Sequence, residues 1–200
     1  MKITIIDCGV GNLFSIECAL KNIGLNASIS STVQGLRNVD AIVLPGVGNF
    51  KAGAQNLQLL RSDIFRLVEE GIPLLGVCLG MQLLFQQSEE GLGSGLGLFE
   101  GRVVKLPNDV KTPHMGWNTL KVYRPIDLLD GIDKEDYLYF VHSYYASPTN
   151  RDVIVAETDY GLSFTSVAAK GNIYGTQFHP EKSGKPGERI LRNFARIVKK

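Results

Sequence analysis

GVCLGMQ, residues 76–82, decides how this chain is read. It follows the apolar run Ile72-Pro73-Leu74-Leu75 and precedes Leu83-Leu84-Phe85. A short apolar run bounded by turn residues predicts a buried strand, and the apolar residues beyond it predict a helix over 79–87. Between the two stands a cysteine with a glycine two residues to either side. Gly-x-Cys-x-Gly on a strand-to-helix turn is the cysteine form of the nucleophile elbow, a bend so sharp that side chains at Gly76 and Gly80 would strike the sheet. Such a turn holds the sulfur of Cys78 at a helix N-terminus, whose dipole favours the thiolate. It also offers the Leu79 amide as an oxyanion donor. A cysteine that is merely buried would leave the same five residues, so the rest of the chain has to decide.

Outward from the elbow, the pattern is that of an α/β protein. Residues 2–7 are β-branched and apolar and predict a first strand. Leu13, Ile16, Leu20 and Ile23 then recur at helical spacing, and Gly24 stops the helix. Strands follow at 26–31 and 41–44, the latter ending in Pro45-Gly46-Val47-Gly48. Leu57, Leu60, Ile64 and Leu67 mark one helix face closed by Gly71, and 72–77 is a fourth strand. This order predicts an open, mostly parallel sheet between two layers of helices, a three-layer α/β architecture. Beyond about residue 95 the runs at 101–105, 137–144, 153–157, 165–169 and 173–178 predict antiparallel additions, with a hairpin at Lys170-Gly171-Asn172. Ile190, Leu191, Phe194, Ile197 and Val198 form a terminal amphipathic helix. The glycine-rich stretch 91–97 reads as a surface connection. No linker or repeat divides the chain, so 1–200 is expected to be one domain. Gly9-Val10-Gly11 imitates a dinucleotide fingerprint, but its third glycine would fall at Phe14, so the glycines are read as a tight turn.

The composition excludes several classes. A formal net charge of +1 gives no reason to expect nucleic acid or another polyanion. No apolar stretch approaches a membrane span, and the N-terminus lacks a cleavage site, so it reads as a strand and not a signal peptide. Cys8, Cys18 and Cys78 are odd in number and far apart, which argues for a reducing, cytoplasmic compartment and against a disulfide framework or a metal site. A chain of 200 residues buries enough surface to fold without a staple. No cofactor is expected.

A cysteine nucleophile needs a base, and the base needs an orienting partner. There are only three histidines. His114 lies in the loop-like TPHMGWN, His142 within YLYFVHSYY, and His179 in TQFHPE at the end of a β-like run. His179 alone has an acid at matching spacing. Two residues on, in an extended segment, Glu181 can point to the same side and fix the imidazole tautomer. Pro180 restricts His179 to extended backbone. The glycines of Pro45-Gly46-Val47-Gly48 lie where strand C-termini gather at a ligand crevice, and they let a backbone amide approach an oxyanion.

Together GVCLGMQ, QFHPE and PGVG resemble the class I glutamine amidotransferases, the family with a Cys-His-Glu triad. PHMGWN at 113–118, VHSYY at 141–145, FHPEKS at 178–183, the opening DCGVGN and the ending ERILRNF narrow the likeness. They are similar to the branch of stand-alone glutaminase subunits that feed a (β/α)8 cyclase in histidine biosynthesis. The resemblance covers the chain from end to end. It implies that Cys78 attacks the side-chain amide of glutamine, that His179 moves the proton, and that Glu181 orients His179. A glutamyl thioester would form and be hydrolysed to glutamate. Leu79 and the Gly46-Val47 turn would supply the oxyanion hole, with Gly48, Gln82, Ser143, Tyr144 and Glu90 around the substrate. Ammonia would pass to the cyclase in a heterodimer, across a face made by Pro113, His114, Met115, Gly116, Trp117, Tyr139 and Lys182. The family is nearly silent until its partner is loaded, and a Gly46-Val47 carbonyl turned inward at rest would be a lever for that silence.

Three other readings use the same residues. The chain could serve another class I amidotransferase, such as one of anthranilate, guanylate or carbamoyl phosphate synthesis, against which PHMGWN and PGVG argue. It could be a cysteine hydrolase of the same fold, against which Glu181 argues. It could be a binding subunit with a decayed site, against which the intact triad argues.

Overall fold

The computed structural model describes residues 1–9, 11–91 and 93–200. Val10 of the glycine turn and Leu92 of the glycine-rich stretch lie outside the described residues. The first half of the chain comprises β1 (Lys2–Ile6), α1 (Leu13–Asn22), β2 (Asn26–Ser30), β3 (Ala41–Leu44), α2 (Phe50–Leu57), α3 (Arg61–Glu69), β4 (Leu74–Val77) and α4 (Leu79–Leu83). Next come β5 (Gln87–Ser88), β6 (Gly101–Lys105), β7 (His114–Asn118), β8 (Lys121–Val122), β9 (Leu138–His142) and β10 (Tyr144–Pro148). The chain closes with β11 (Ile154–Asp159), β12 (Ser163–Lys170), β13 (Ile173–Thr176) and α5 (Gly184–Val198).

The main sheet runs β2-β1-β3-β4-β13-β12-β10-β6-β5. From β2 to β13 every pairing is parallel. From β13 through β12 and β10 to β6 the pairings are antiparallel, and β11 and β8 extend the sheet beside β12. The hairpin is where the sequence put it, with Lys170 opposite Ile173. Side chains alternate between two cores, as the two-residue period of a strand requires. Ile42 and Leu44 of β3 join the core under α2 and α3, whereas Ala41 and Val43 join the core under α1 and α5. Both faces of β3 and β4 are therefore apolar and covered. Ile16 and Leu20 of α1 and Ile190, Leu191 and Phe194 of α5 are buried, each contributing roughly 1.5–3 kcal/mol of transfer free energy. The side chains of Asn12 and Asn49 accept from Ser15 and Ala52 and start α1 and α2.

Five features differ from the sequence expectation. The helix face Leu57, Leu60, Ile64 and Leu67 is continuous and buried, but a 3-10 turn at Gln58–Leu60 divides α2 from α3. The helix expected over 79–87 ends at Leu83, because the amides of Leu96, Phe99 and Gly97 take the carbonyls of Leu83, Leu84 and Phe85. The reading of 91–97 as a surface connection fails at its second half: Gly93 and Ser94 are exposed, but Gly95 and Leu96 are buried, and Arg61 donates to both their carbonyls. The run 137–144 is two strands that break at Ser143. β9 pairs with β7 in a separate two-stranded sheet, while β10 enters the main one. β7 itself was expected to be loop, since Pro113 and Gly116 punctuate it. Cross-strand pairing of Trp117 with Tyr139 and of His114 with His142 outweighs that signal.

Candidate active site

The C-terminal ends of β3, β4 and β13 converge, and each delivers part of one site. Cys78 follows β4 at φ 54 and ψ −110, a left-handed backbone that side chains rarely adopt, and such strain persists where surrounding structure enforces it. The Cys78 amide donates to Thr176 O at 2.7 Å. A Cβ at Gly80 would lie 1.6 Å from the Leu44 carbonyl oxygen, and one at Gly76 would lie 2.8 Å from the Gly80 backbone. The two glycines of the elbow are thus required by close approach of backbone to backbone.

His179 leaves β13 in extended conformation and donates its amide to Tyr139 O. Its Nδ1 lies 2.8 Å from Glu181 Oε1. The carboxylate can only accept, so Nδ1 carries the proton. Glu181 does not reach the ring along an extended strand, as the spacing had suggested. It sits in the 3-10 turn Pro180–Lys182, which Ser183 Oγ braces by donating to His179 O. His179 Nε2 is buried and has no hydrogen-bond partner among the described residues. Burial pushes this imidazole down, but the Cys78 sulfur and the Glu181 carboxylate outweigh it and raise its pKa from 6.5 to about 10. The Cys78 sulfur and the Glu181 carboxylate, on either side of the ring, both favour its protonated form.

A cavity of about 240 Å³ opens above the sulfur. Val47 and Gly48 line it from the end of β3, Leu79 and Gln82 from α4, and His142, Ser143 and Tyr144 from the break between β9 and β10. Glu90, Val141 and Pro113 complete the wall. The volume suits a molecule of amino-acid size better than the larger ligands that fill typical pockets. Gln82 Nε2 donates to Tyr144 O at 2.8 Å and to Gln177 Oε1 at 3.1 Å. Both amide hydrogens are thereby used, which leaves Oε1 as the polar atom Gln82 can offer a ligand. Glu90 accepts from the Phe50 amide at the start of α2, whereas Glu89 is turned away, accepting from the Lys105 amide.

The Leu79 amide is occupied. It donates to Gly46 O at 3.2 Å, so the peptide between Gly46 and Val47 presents its carbonyl, not an amide, to the place where an oxyanion would form. This resting orientation could not be read from the sequence.

Beside the cavity, β7 and β9 carry residues on two faces. Met115 and Trp117 are 63 % and 56 % exposed. Trp117 meets the Tyr139 ring edge-on, and Lys182 Nζ lies 6.0 Å from the centre of that ring. His114 does not belong with them. Strand alternation turns it inward, to 3 % exposure, between the rings of Tyr160 and Phe140. Its Nδ1 is 3.0 Å from His142 Nε2, and His142 Nδ1 is 2.9 Å from Tyr144 O. The carbonyl fixes the chain of donors: His142 Nδ1–H donates to Tyr144, and His114 Nδ1–H to His142. Burial lowers the pKa of His114 to about 4. Burial, then the charges of His114 and His179, lower that of His142 to about 3. Both rings are neutral. His142, Val141 and Gln177 fall within the quoted motifs but were assigned no site role, although His142 alternates with Phe140 and Leu138 on the buried face of β9. Among the described residues no group of three or more His, Cys, Asp or Glu could hold a metal, and no helix is long and apolar enough to cross a membrane.

The glutamine amidotransferase class-I family model matches residues 4–198, and the chain belongs to that family. Its curated relatives include the imidazole glycerol phosphate synthase subunit HisH of Methanothermobacter thermautotrophicus, 49 % identical over 98 % of this chain and 99 % of that protein. The HisH subunit of Pyrococcus furiosus is 48 % identical over 98 % and 99 %, and that of a Geobacillus species 48 % over 98 % and 97 %. Among solved structures, a glutamine amidotransferase from Thermotoga maritima superposes with a TM-score of 0.72 at 16 % identity, covering 100 % of this chain and 99 % of that one. Another glutamine amidotransferase gives 0.78 at 20 %, covering 98 % and 99 %. These two likenesses bear on the fold alone.

Proposed function

We propose that this chain is the glutaminase subunit of an imidazole glycerol phosphate synthase, a single amidotransferase domain over 1–200 working in the cytoplasm. The observation that carries the chemistry is the strained Cys78 elbow set beside a His179 whose other nitrogen is held by Glu181. Cys78 Sγ attacks the side-chain carbonyl carbon of glutamine. His179 Nε2 holds the thiol proton and gives it to the departing ammonia. The thioester left on Cys78 is then hydrolysed to glutamate by water that His179 deprotonates. Gln82 Oε1, the Ser143 and Tyr144 segment, Gly48 and Glu90 hold the substrate's polar groups.

The occupied Leu79 amide accounts for a resting enzyme. For turnover the peptide between Gly46 and Val47 has to rotate, freeing the Leu79 N–H and bringing in the Val47 N–H as second oxyanion donor. One such donor is worth about 10²–10³ in rate. The partner is the (β/α)8 cyclase subunit of the synthase, in a heterodimer. It would dock on Met115, Trp117, Tyr139, Lys182 and Pro113, an exposed aromatic and methionine patch of the kind interfaces favour. It would use the ammonia to form imidazole glycerol phosphate and aminoimidazole carboxamide ribotide.

The test is glutamate release from glutamine, alone and with the cyclase loaded with its nucleotide substrate, beside Cys78→Ala. Strong stimulation abolished by the substitution is expected. Full activity without a partner would mean a free-standing glutaminase and would overturn the gated reading.

A further inference from the structure

Behind the nucleophile lies a glutamine without an assigned role. Gln177 follows β13, is 0 % exposed, and sits between Cys78 and Gln82. Its Nε2 is 3.7 Å from Cys78 Sγ, and its Oε1 accepts from Gln82 Nε2 at 3.1 Å. The orientation of both amides is forced. The Tyr144 carbonyl can only accept, so the end of Gln82 that lies 2.8 Å from it is the NH₂. The end of Gln177 that meets this NH₂ must be the oxygen, which leaves the Gln177 NH₂ aimed at the sulfur.

We infer that Gln177 is a further catalytic residue, whose amide N–H stabilises the thiolate of Cys78; the inference rests on Cys78 being the nucleophile. The sulfur has another polar neighbour of opposite preference. The Val141 carbonyl, 3.7 Å away, accepts from the S–H and so favours the neutral thiol. Gln177 can only donate, and a donor gains strength when its acceptor becomes an anion. It therefore offsets Val141 and tilts the pair of Cys78 and His179 toward thiolate and imidazolium. No bond to Gln177 forms or breaks; it presents a fixed dipole. Because its oxygen is tied to Gln82, which lines the cavity, the donor is held in place by the substrate pocket itself.

The test is the pH dependence of alkylation by iodoacetamide in the intact protein, with the modified peptide located by mass spectrometry. Gln177→Glu keeps the acceptor for Gln82 and removes the donor; Gln177→Met removes both at similar volume. In each, the midpoint for Cys78 labelling is expected to rise by about one to two pH units, with about a tenfold or greater loss of rate near neutrality. In wild-type protein the side-chain amide resonance of Gln177 is expected to shift with that same midpoint, a readout that needs no variant. A role in packing alone would lower the melting temperature and leave midpoint and resonance unmoved, which would overturn the inference. If the label in wild type falls on Cys8 or Cys18 and not on Cys78, the nucleophile reading itself fails.

Discussion

Lowering the pH below neutrality forces protons onto two histidines that the fold holds neutral, and the cost follows from the structure. His142 has an ordinary value of 6.5 that is lowered to about 3, and His114 is lowered from 6.5 to about 4. Their folded values lie below their unfolded ones. The stability they contribute is complete above about pH 6.5 and is lost progressively as the pH falls toward 3. At about 1.36 kcal/mol per pH unit, His142 alone accounts for roughly 3–6 kcal/mol over the whole window, a large part of a domain's stability. His179 does not confuse the comparison. Its raised value, about 10, means that it is protonated in both states below 6.5, and its own contribution is lost only as pH rises toward 10. The perturbation is His142→Gln, which keeps a donor for Tyr144 and an acceptor for His114 but cannot titrate. Urea unfolding followed by Trp117 fluorescence, at steps between about pH 4 and 6, gives the slope of stability against pH. Wild type is expected to be steeper by about 1.4 kcal/mol per pH unit, one proton's worth. Equal slopes in the two proteins would refute the buried neutral pair.

Further outcomes follow from the same geometry. Glu181→Gln removes the charge beside His179 Nδ1, so the imidazole titration followed by NMR is expected to fall well below 10, with about 10²-fold or greater loss of glutamine turnover; an unchanged titration would show that Glu181 does not set the base. Gly80→Ala places a methyl 1.6 Å from the Leu44 carbonyl, and urea unfolding is expected to show a loss of about 3 kcal/mol or more; full stability would contradict the elbow packing. Trp117→Ala, at an exposed position, is expected to leave stability within about 0.5 kcal/mol while weakening cyclase binding, by titration calorimetry, by about 2 kcal/mol or more.

The layers of the fold were legible because their signals are local. The apolar runs ending in Cys8, in Pro45 and in Cys78 each declare a buried parallel strand, and Leu57, Leu60, Ile64 and Leu67 declare a face. The candidate triad could be proposed because few residues compete: one elbow cysteine, and one histidine with an acid two residues on. What was hidden depends on partners distant in sequence. α4 stops at Leu83 because the segment around Leu96 takes its carbonyls. β7 exists because β9 pairs with it, and that pairing sends His114 inward and Trp117 outward. Gln177 acquires a role only when Gln82 and Tyr144, far apart in sequence, fix which end of its amide faces Cys78. The Gly46 carbonyl on the Leu79 amide is a choice between two peptide orientations that the same residues permit.

The central claim is that Cys78 carries the acyl group. The most direct measurement is acid quenching of the cyclase complex during glutamine turnover, followed by intact-mass analysis and peptide mapping. A γ-glutamyl adduct on the peptide containing Cys78, absent from Cys78→Ala, is the predicted result. Continued glutamate release by Cys78→Ala, or an adduct mapped to Cys8 or Cys18, would contradict it.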